Sequence, residues 1–127
     1  MAPEKVRYYL RQFLSGLDYL HNIAKVVHLD IKPENILINA KDVLKIADFG
    51  ISTMIDDSDS LKKVGGTKLF MPPETWLNFE VSGKAIDVWS TGVTFYYFAL
   101  GSYPYNATNV AKLRLLIETT DPMYPDT

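Results

Sequence analysis

From Val88 to Tyr103 the chain runs for sixteen residues, up to Pro104, without a charged side chain. Across Ala85 to Leu100, the residues Ile86, Val88, Trp89, Val93, Phe95, Tyr96, Tyr97 and Phe98 leave no wide polar face. A helix that is apolar all round has to be surrounded, by lipid or by protein. Lipid suits it poorly: a span needs about 20 consecutive apolar residues, and this run is shorter and holds Ser90, Thr91, Gly92 and Thr94. The stretch therefore predicts a helix at the centre of a helical core in a soluble chain. Its aromatic side chains read as packing and not as a cofactor box.

The remaining sequence must wrap that helix. A length of 127 residues suffices for one core and not for two. At 47% apolar and 22% charged residues the chain can pack. Thirteen basic and 15 acidic residues give a net charge of −2, so there is no basic field to attract nucleic acid or an anionic membrane. With no cysteine, disulfides, thiolate zinc sites and cysteine nucleophiles are excluded, and any metal must sit on oxygen ligands. Met1-Ala2-Pro3-Glu4-Lys5 passes straight into an amphipathic pattern with no apolar signal-peptide core, so a cytoplasmic address is expected.

From Pro3 to His21, Val6, Tyr9, Leu10, Phe13, Leu14, Leu17 and Leu20 recur at three- and four-residue steps, which predicts an amphipathic helix. Pro3 and Glu4 suit its first turn, and His21 and Asn22 its end. Val26-Val27, Ile36-Leu37-Ile38 and Val43-Leu44-Lys45-Ile46 read as brief strands around polar turns. Asp48 to Glu74 shows neither period and reads as one long loop, a length that usually signals function or mobility. Val110, Leu113, Leu116 and Ile117 predict a last helix, capped by Asn106 or Thr108.

Between Val27 and Gly50 the residues Asp30, Lys32, Asn35 and Asp48 fall on loops at strand ends, where polar groups are displayed. These are the parts needed to move a phosphoryl group. One carboxylate orients a hydroxyl, an amide oxygen and a second carboxylate hold Mg²⁺, and a lysine neutralises charge on the phosphate. Taken singly, Asp30 and Asp48 are equally good turn formers. A metal-dependent hydrolase could use the same two carboxylates, but no nucleophile or histidine pair accompanies them. Asp56, Asp57 and Asp59 with Ser58 and Ser60 could form a calcium loop, yet the central glycine and terminal glutamate are missing. A solvated, phosphorylatable loop is the better reading there.

Four motifs carry a family resemblance. His28-Leu29-Asp30-Ile31-Lys32-Pro33-Glu34-Asn35, Asp48-Phe49-Gly50, Gly66-Thr67-Lys68-Leu69-Phe70-Met71-Pro72-Pro73-Glu74 and Asp87-Val88-Trp89-Ser90 follow one another. They resemble, in order, the catalytic loop, metal-binding motif, activation-segment end and central helix of eukaryotic protein kinases. The resemblance implies a protein-kinase-like α+β fold, here a mainly helical C-terminal lobe with short strands around the catalytic loop and no N-terminal lobe. Residues 1–127 would be a partial kinase domain, about half of a two-lobe core.

The same resemblance implies roles. Asp30 would orient the acceptor hydroxyl, Lys32 would contact the γ-phosphate, and Asn35 and Asp48 would hold magnesium. The backbone near Glu34 would line the ribose, and Leu37 would touch the adenine, supported by Ile36 and Ile38. His28, Phe49, Gly50, Glu74 and Asp87 would be structural: His28 and Phe49 as struts of an apolar column, Asp87 as anchor of the catalytic-loop backbone. Lys32 and Thr67 resemble the serine/threonine-specific pattern, with Thr67 on the substrate-facing loop. ATP, Mg²⁺ and a protein with a Ser or Thr acceptor are the implied ligands.

Leu29 stands where the family commonly has an arginine that pairs with an activation-segment phosphate. Its absence implies that the segment orders without phosphate on Ser58, Ser60 or Thr67, the three candidate phosphosites. Phe70 and Pro72 replace the commoner tyrosine and alanine, as in a related tumour-suppressor branch of upstream kinases that also lacks the arginine, and the stretches Ser82 to Trp89, Gly92 to Tyr96 and Gly101 to Tyr105 resemble the calcium/calmodulin-dependent protein kinase kinases. Those enzymes act upstream of AMP-activated protein kinase, which makes an upstream activating role the expectation. A regulator such as calmodulin would need a segment outside these residues. Glu74, without the arginine it pairs with in the family, is expected to be exposed, protonated or poorly ordered. The alternative is a catalytically inactive kinase-like lobe that serves as a binding or scaffold module.

Overall fold

The computed structural model describes residues 1–62, 65, 67–77, 80–107 and 109–124. Helix α1 (Pro3–Asn22) begins on Pro3 with Glu4 in its first turn, where a missing N–H and a negative charge are both favourable. Its buried side chains Tyr9, Phe13, Leu17 and His21 are spaced by four and form one stripe. The helix runs one residue past His21, and Ile23 closes it by donating its N–H to the Tyr19 carbonyl.

Helix α3 (Gly83–Leu100) is closed at both ends. Ser82 accepts the Ala85 amide at the start, and Gly101 takes a left-handed φ of 78° at the end, a conformation that favours glycine. The expected burial all round is corrected. Val88 is 61% exposed and Leu100 40%, whereas Asp87, Ser90, Thr91 and Thr94 are buried. Ser90 and Asp87 turn inward with Ile86, Val93 and Phe95 because their hydrogen-bond partners lie there: Ser90 Oγ donates to the Phe70 carbonyl and Asp87 receives three N–H groups, whereas Thr91 donates to the Asp87 carbonyl within the helix and Thr94 Oγ1 has no partner among the described residues. Exposed Val88 and Leu100 show that apolar character alone did not fix which side faces in.

Two apolar clusters sit along α3. Phe95 joins Tyr9, Phe13, Leu17, Ile31 and Leu44 in the first, with the Phe13 and Phe95 rings 5.4 Å apart. Ile86 joins Val27, Leu29 and Val81 in the second. Among the described residues the strands form three separate two-stranded antiparallel ribbons. β1 (Val26–Val27) pairs with β4 (Thr53–Met54), β2 (Ile36–Ile38) with β3 (Leu44–Ile46), and β5 (Ser60–Leu61) with β6 (Val81–Ser82). Thus the stretch from Asp48 to Glu74 is not one loop: it contributes β4, β5 and a 3₁₀ turn at Lys68–Phe70 before the short helix α2 (Glu74–Leu77). Two-residue strands whose partners lie 20 or more residues away leave no periodic trace in their own sequence.

Helix α4 (Val110–Thr119) is capped by Asn109, whose side chain accepts the Lys112 amide at 2.9 Å. That corrects Asn106 as cap; Thr108 lies outside the described residues. Among the described residues no helix is long and apolar enough to cross a membrane.

Candidate active site

The segment after β1 is fixed by one buried carboxylate. Asp87, fully buried on α3, accepts the His28 amide at 2.8 Å on Oδ2 and the Leu29 amide at 2.9 Å on Oδ1. His21 Nε2, from the end of α1, adds a third contact to Oδ2 at 2.7 Å. Leu29 has φ 71°, a conformation costly for a branched side chain and retained only where the surroundings over-determine it. Its amide bond to Asp87 and its burial beside Val27, Val81 and Ile86 supply that determination.

His28 is fully buried, and both ring nitrogens are used. Nδ1 faces the Asp30 N–H at 3.1 Å and must accept, while Nε2 faces the Ala47 carbonyl at 2.8 Å and must donate. The ring is therefore held as the Nε2–H tautomer. No lone pair remains for a substrate, and the ring packs edge-on against Phe49 with centroids 4.8 Å apart.

This scaffold presents Asp30. Asn35, buried at the end of the 3₁₀ turn Pro33–Asn35, donates Nδ2 to the Asp30 carbonyl at 2.8 Å and to Asp30 Oδ2 at 3.4 Å. Lys32 Nζ lies 3.8 Å from Asp30 Oδ1, with the two side chains 25% and 18% exposed. Thr67 closes the triangle from a distant part of the chain: its Oγ1 is 3.3 Å from Lys32 Nζ and 3.5 Å from Asp30 Oδ1. A partly exposed carboxylate beside an ammonium, with hydroxyl oxygen between them, can orient an O–H and balance negative charge arriving next to it.

Asp48 stands apart from that triangle. It is exposed, has φ 56°, and its Oδ1 accepts the Gly50 amide at 3.2 Å within its own turn. The link to the loop of His28 to Asn35 runs through Ala47, whose amide donates to the Asn35 carbonyl at 2.8 Å while its own carbonyl accepts from His28 Nε2. No group among the described residues donates to Asn35 Oδ1 or to Asp48 Oδ2. Two uncommitted hard oxygens on tethered loops fit a Mg²⁺ ion that completes its shell with water and phosphate.

Leu37 is 56% exposed on β2 and Glu34 is exposed beside the loop. Burial, with the nearby Glu34 carboxylate second, raises the Tyr103 phenol above its ordinary pKa. Tyr103 stacks on Tyr97 at 4.6 Å and meets Phe70 edge-on at 5.3 Å, which braces the turn after Thr67. Glu74 is half-buried in the first turn of α2, so it is neither fully exposed nor enclosed; no ion pair to it occurs among the described residues. Gly66 lies outside them. A cavity of about 590 Å³ lined by Trp89, Val93, Tyr96 and Pro104 contains none of these residues. The bonds of His21 to Asp87, of Ser90 to the Phe70 carbonyl and of Asp59 to the Lys84 amide are not legible in the sequence, because the partners are remote in the chain; the only sign of His21 is its place at a helix end.

A family model described as the protein kinase domain matches residues 1–123. The chain belongs to the protein kinase family. It is 39% identical, over 98% of its length, to a probable serine/threonine-protein kinase of Dictyostelium discoideum, of which it covers 18%. It is also similar to two calcium/calmodulin-dependent protein kinase kinases. One, cmkC of Emericella nidulans, is 42% identical over 87% of this chain and 22% of that protein. The other, from Caenorhabditis elegans, is 39% identical over 93% and 22%. These matches place the chain among serine/threonine protein kinases by family and accord with the resemblance read from its motifs. The chain spans between 18% and 31% of the length of the curated relatives it matches.

Proposed function

We propose that residues 1–127 are the C-terminal lobe of a serine/threonine protein kinase, a partial domain that acts in the cytoplasm and transfers the ATP γ-phosphoryl group to a protein hydroxyl. The observation that carries this reading is the convergence, within 3.8 Å, of Asp30 and Lys32 on a loop anchored by Asp87 with Thr67 from a separate segment. Asp30 Oδ1 receives the proton of the acceptor Ser or Thr hydroxyl and aims its oxygen at phosphorus. Lys32 Nζ balances the negative charge on the moving phosphoryl oxygens. Asn35 holds Asp30 through Nδ2 and offers Oδ1 to the metal, with Asp48 Oδ2 as the second protein oxygen. Bound Mg²⁺ supplies neutralisation of the phosphate oxygens of ATP. Leu37 offers an apolar contact to the adenine, and the Glu34 backbone lines the ribose.

Asp30→Asn in the full-length kinase removes the proton acceptor and is expected to lower kcat by about 10²- to 10⁴-fold with the KM for ATP little changed. A variant that keeps full turnover contradicts the assignment. Binding of Mg-ATP to the lobe itself is read by thermal shift, since selective binding to the folded state raises Tm. An absent shift together with no turnover would instead favour a non-catalytic binding lobe.

Two finer readings belong here. The likeness to calcium/calmodulin-dependent protein kinase kinases supports a role as an upstream activating kinase. Failure to phosphorylate the activation-loop threonine of an AMP-activated-kinase-like substrate would count against it. The burial of Leu29 among Val27, Val81 and Ile86, with Ile55 and Leu61 packed against them, supports an activation segment held by apolar contact and not by a phosphate. Phosphatase treatment of the full-length enzyme is expected to leave activity intact; loss restored by rephosphorylation would overturn this.

A further inference from the structure

Asp59 joins the segment between Asp48 and Thr67 to the start of α3. Its Oδ2 accepts Ser82 Oγ at 2.5 Å, and both carboxylate oxygens lie 3.2 Å from the Lys84 amide. Its carbonyl accepts the Gly83 amide at 3.4 Å. The first N–H groups of a helix have no partner within the helix. Here Gly83 and Lys84 find theirs on a residue more than 20 positions earlier, while Ala85 is capped by Ser82. Asp59 has φ 51°, which Asp tolerates better than most residues, and this turns the chain into β5.

The neighbouring packing leaves little slack. A Cβ on Gly83 would come within 2.8 Å of Val27 and 3.0 Å of Leu61, so only glycine lets β1, β5 and α3 approach this closely. Leu61 and Ile55 pack on the cluster that contains Leu29. One turn further along the same helix, Asp87 holds the His28 and Leu29 amides. The segment leading to Thr67 and the loop bearing Asp30 are thus both pinned to residues 83–87 of α3.

We propose that Asp59 is a positioning residue that sets the register of the activation segment against the catalytic loop, with the first turn of α3 as the common support. Its consequence for turnover rests on the kinase reading above, whereas the registration itself does not. Loss of the carboxylate strands the Lys84 amide and frees Ser82, so the segment opens locally while the rest of the chain keeps its contacts.

Amide hydrogen exchange of the 127-residue chain, followed by mass spectrometry, tests this in the wild type, Asp59→Ala and Asp59→Asn. In Asp59→Ala, exchange across residues 53–62 and the first turn of α3 is expected to quicken about tenfold, with α1 and β2–β3 unchanged. Asp59→Asn is expected to stay near the wild type, because its amide oxygen still accepts from Lys84 and its Nδ2 can donate to Ser82 Oγ. No quickening in Asp59→Ala, an equal quickening in α1, or Asp59→Asn matching Asp59→Ala would each overturn the registration. In the full-length kinase, Asp59→Ala should raise the KM for the protein acceptor and lower kcat, leaving the KM for ATP unchanged; local opening without that change overturns the positioning role. If the wild-type kinase transfers no phosphate, the kinase reading fails and the exchange comparison still decides the registration.

Discussion

The loop from His28 to Asn35 and the turn from Asp48 to Gly50 carry the two carboxylates of the site, and they are held in opposite ways. Around Asp30 the backbone is bound by a buried carboxylate on α3, both nitrogens of a buried imidazole are engaged, Asn35 ties the loop to itself and Thr67 reaches in from a separate segment. Around Asp48 the only hydrogen bond to the carboxylate among the described residues is from the Gly50 amide two residues on, and Phe49 is 42% exposed. The proposed acceptor side is held by this chain's own core, which is how electrostatic stabilisation is pre-organised. The proposed metal side is tethered through Ala47 and the edge contact of Phe49 with His28, and no group among the described residues donates to Asp48 Oδ2.

That contrast can be broken at its strongest point first. Asp87→Ala leaves the His28 and Leu29 amides buried without an acceptor and should cost about 3–5 kcal/mol, a large share of a typical domain's stability. Chemical denaturation should show a chain largely unfolded in mild denaturant. Leu29→Arg, which restores the residue common in the family, forces a charge into the cluster of Val27, Val81 and Ile86. A loss of about 2–4 kcal/mol is expected, and an unchanged melting temperature would show that the cluster is not what holds this loop.

The open side should respond weakly. Phe49→Ala removes a half-exposed ring and its edge contact with His28, a change of about 1 kcal/mol. Asp48→Asn should move stability by less than about 0.5 kcal/mol while reducing any Mg-ATP-induced rise in Tm, which separates a ligand-holding oxygen from a structural one.

Much of the acceptor side was legible in the sequence because it is written locally. Asp30, Lys32 and Asn35 lie within six positions on one loop, and α1 announces itself through Tyr9, Phe13 and Leu17 on one stripe. What escaped reading depends on partners far along the chain. β4 and β5 exist only because β1 and β6 pair with them. Asp59 reads as one acid in a solvated run, yet it bonds the start of α3. The partial exposure of α3 has the same origin: Ser90 and Asp87 are drawn inward by the Phe70 carbonyl and the His28 and Leu29 amides, which hydropathy does not record.

Residue-resolved hydrogen exchange by NMR compares the two sides in one experiment. The His28 and Leu29 amides, bound to buried Asp87, are expected to exchange only through the largest openings of the chain, at least about a hundredfold more slowly than the Gly50 and Ser52 amides of the open turn. Protection factors of His28 and Leu29 no higher than those of Gly50 and Ser52 would contradict a catalytic loop built in advance by the core.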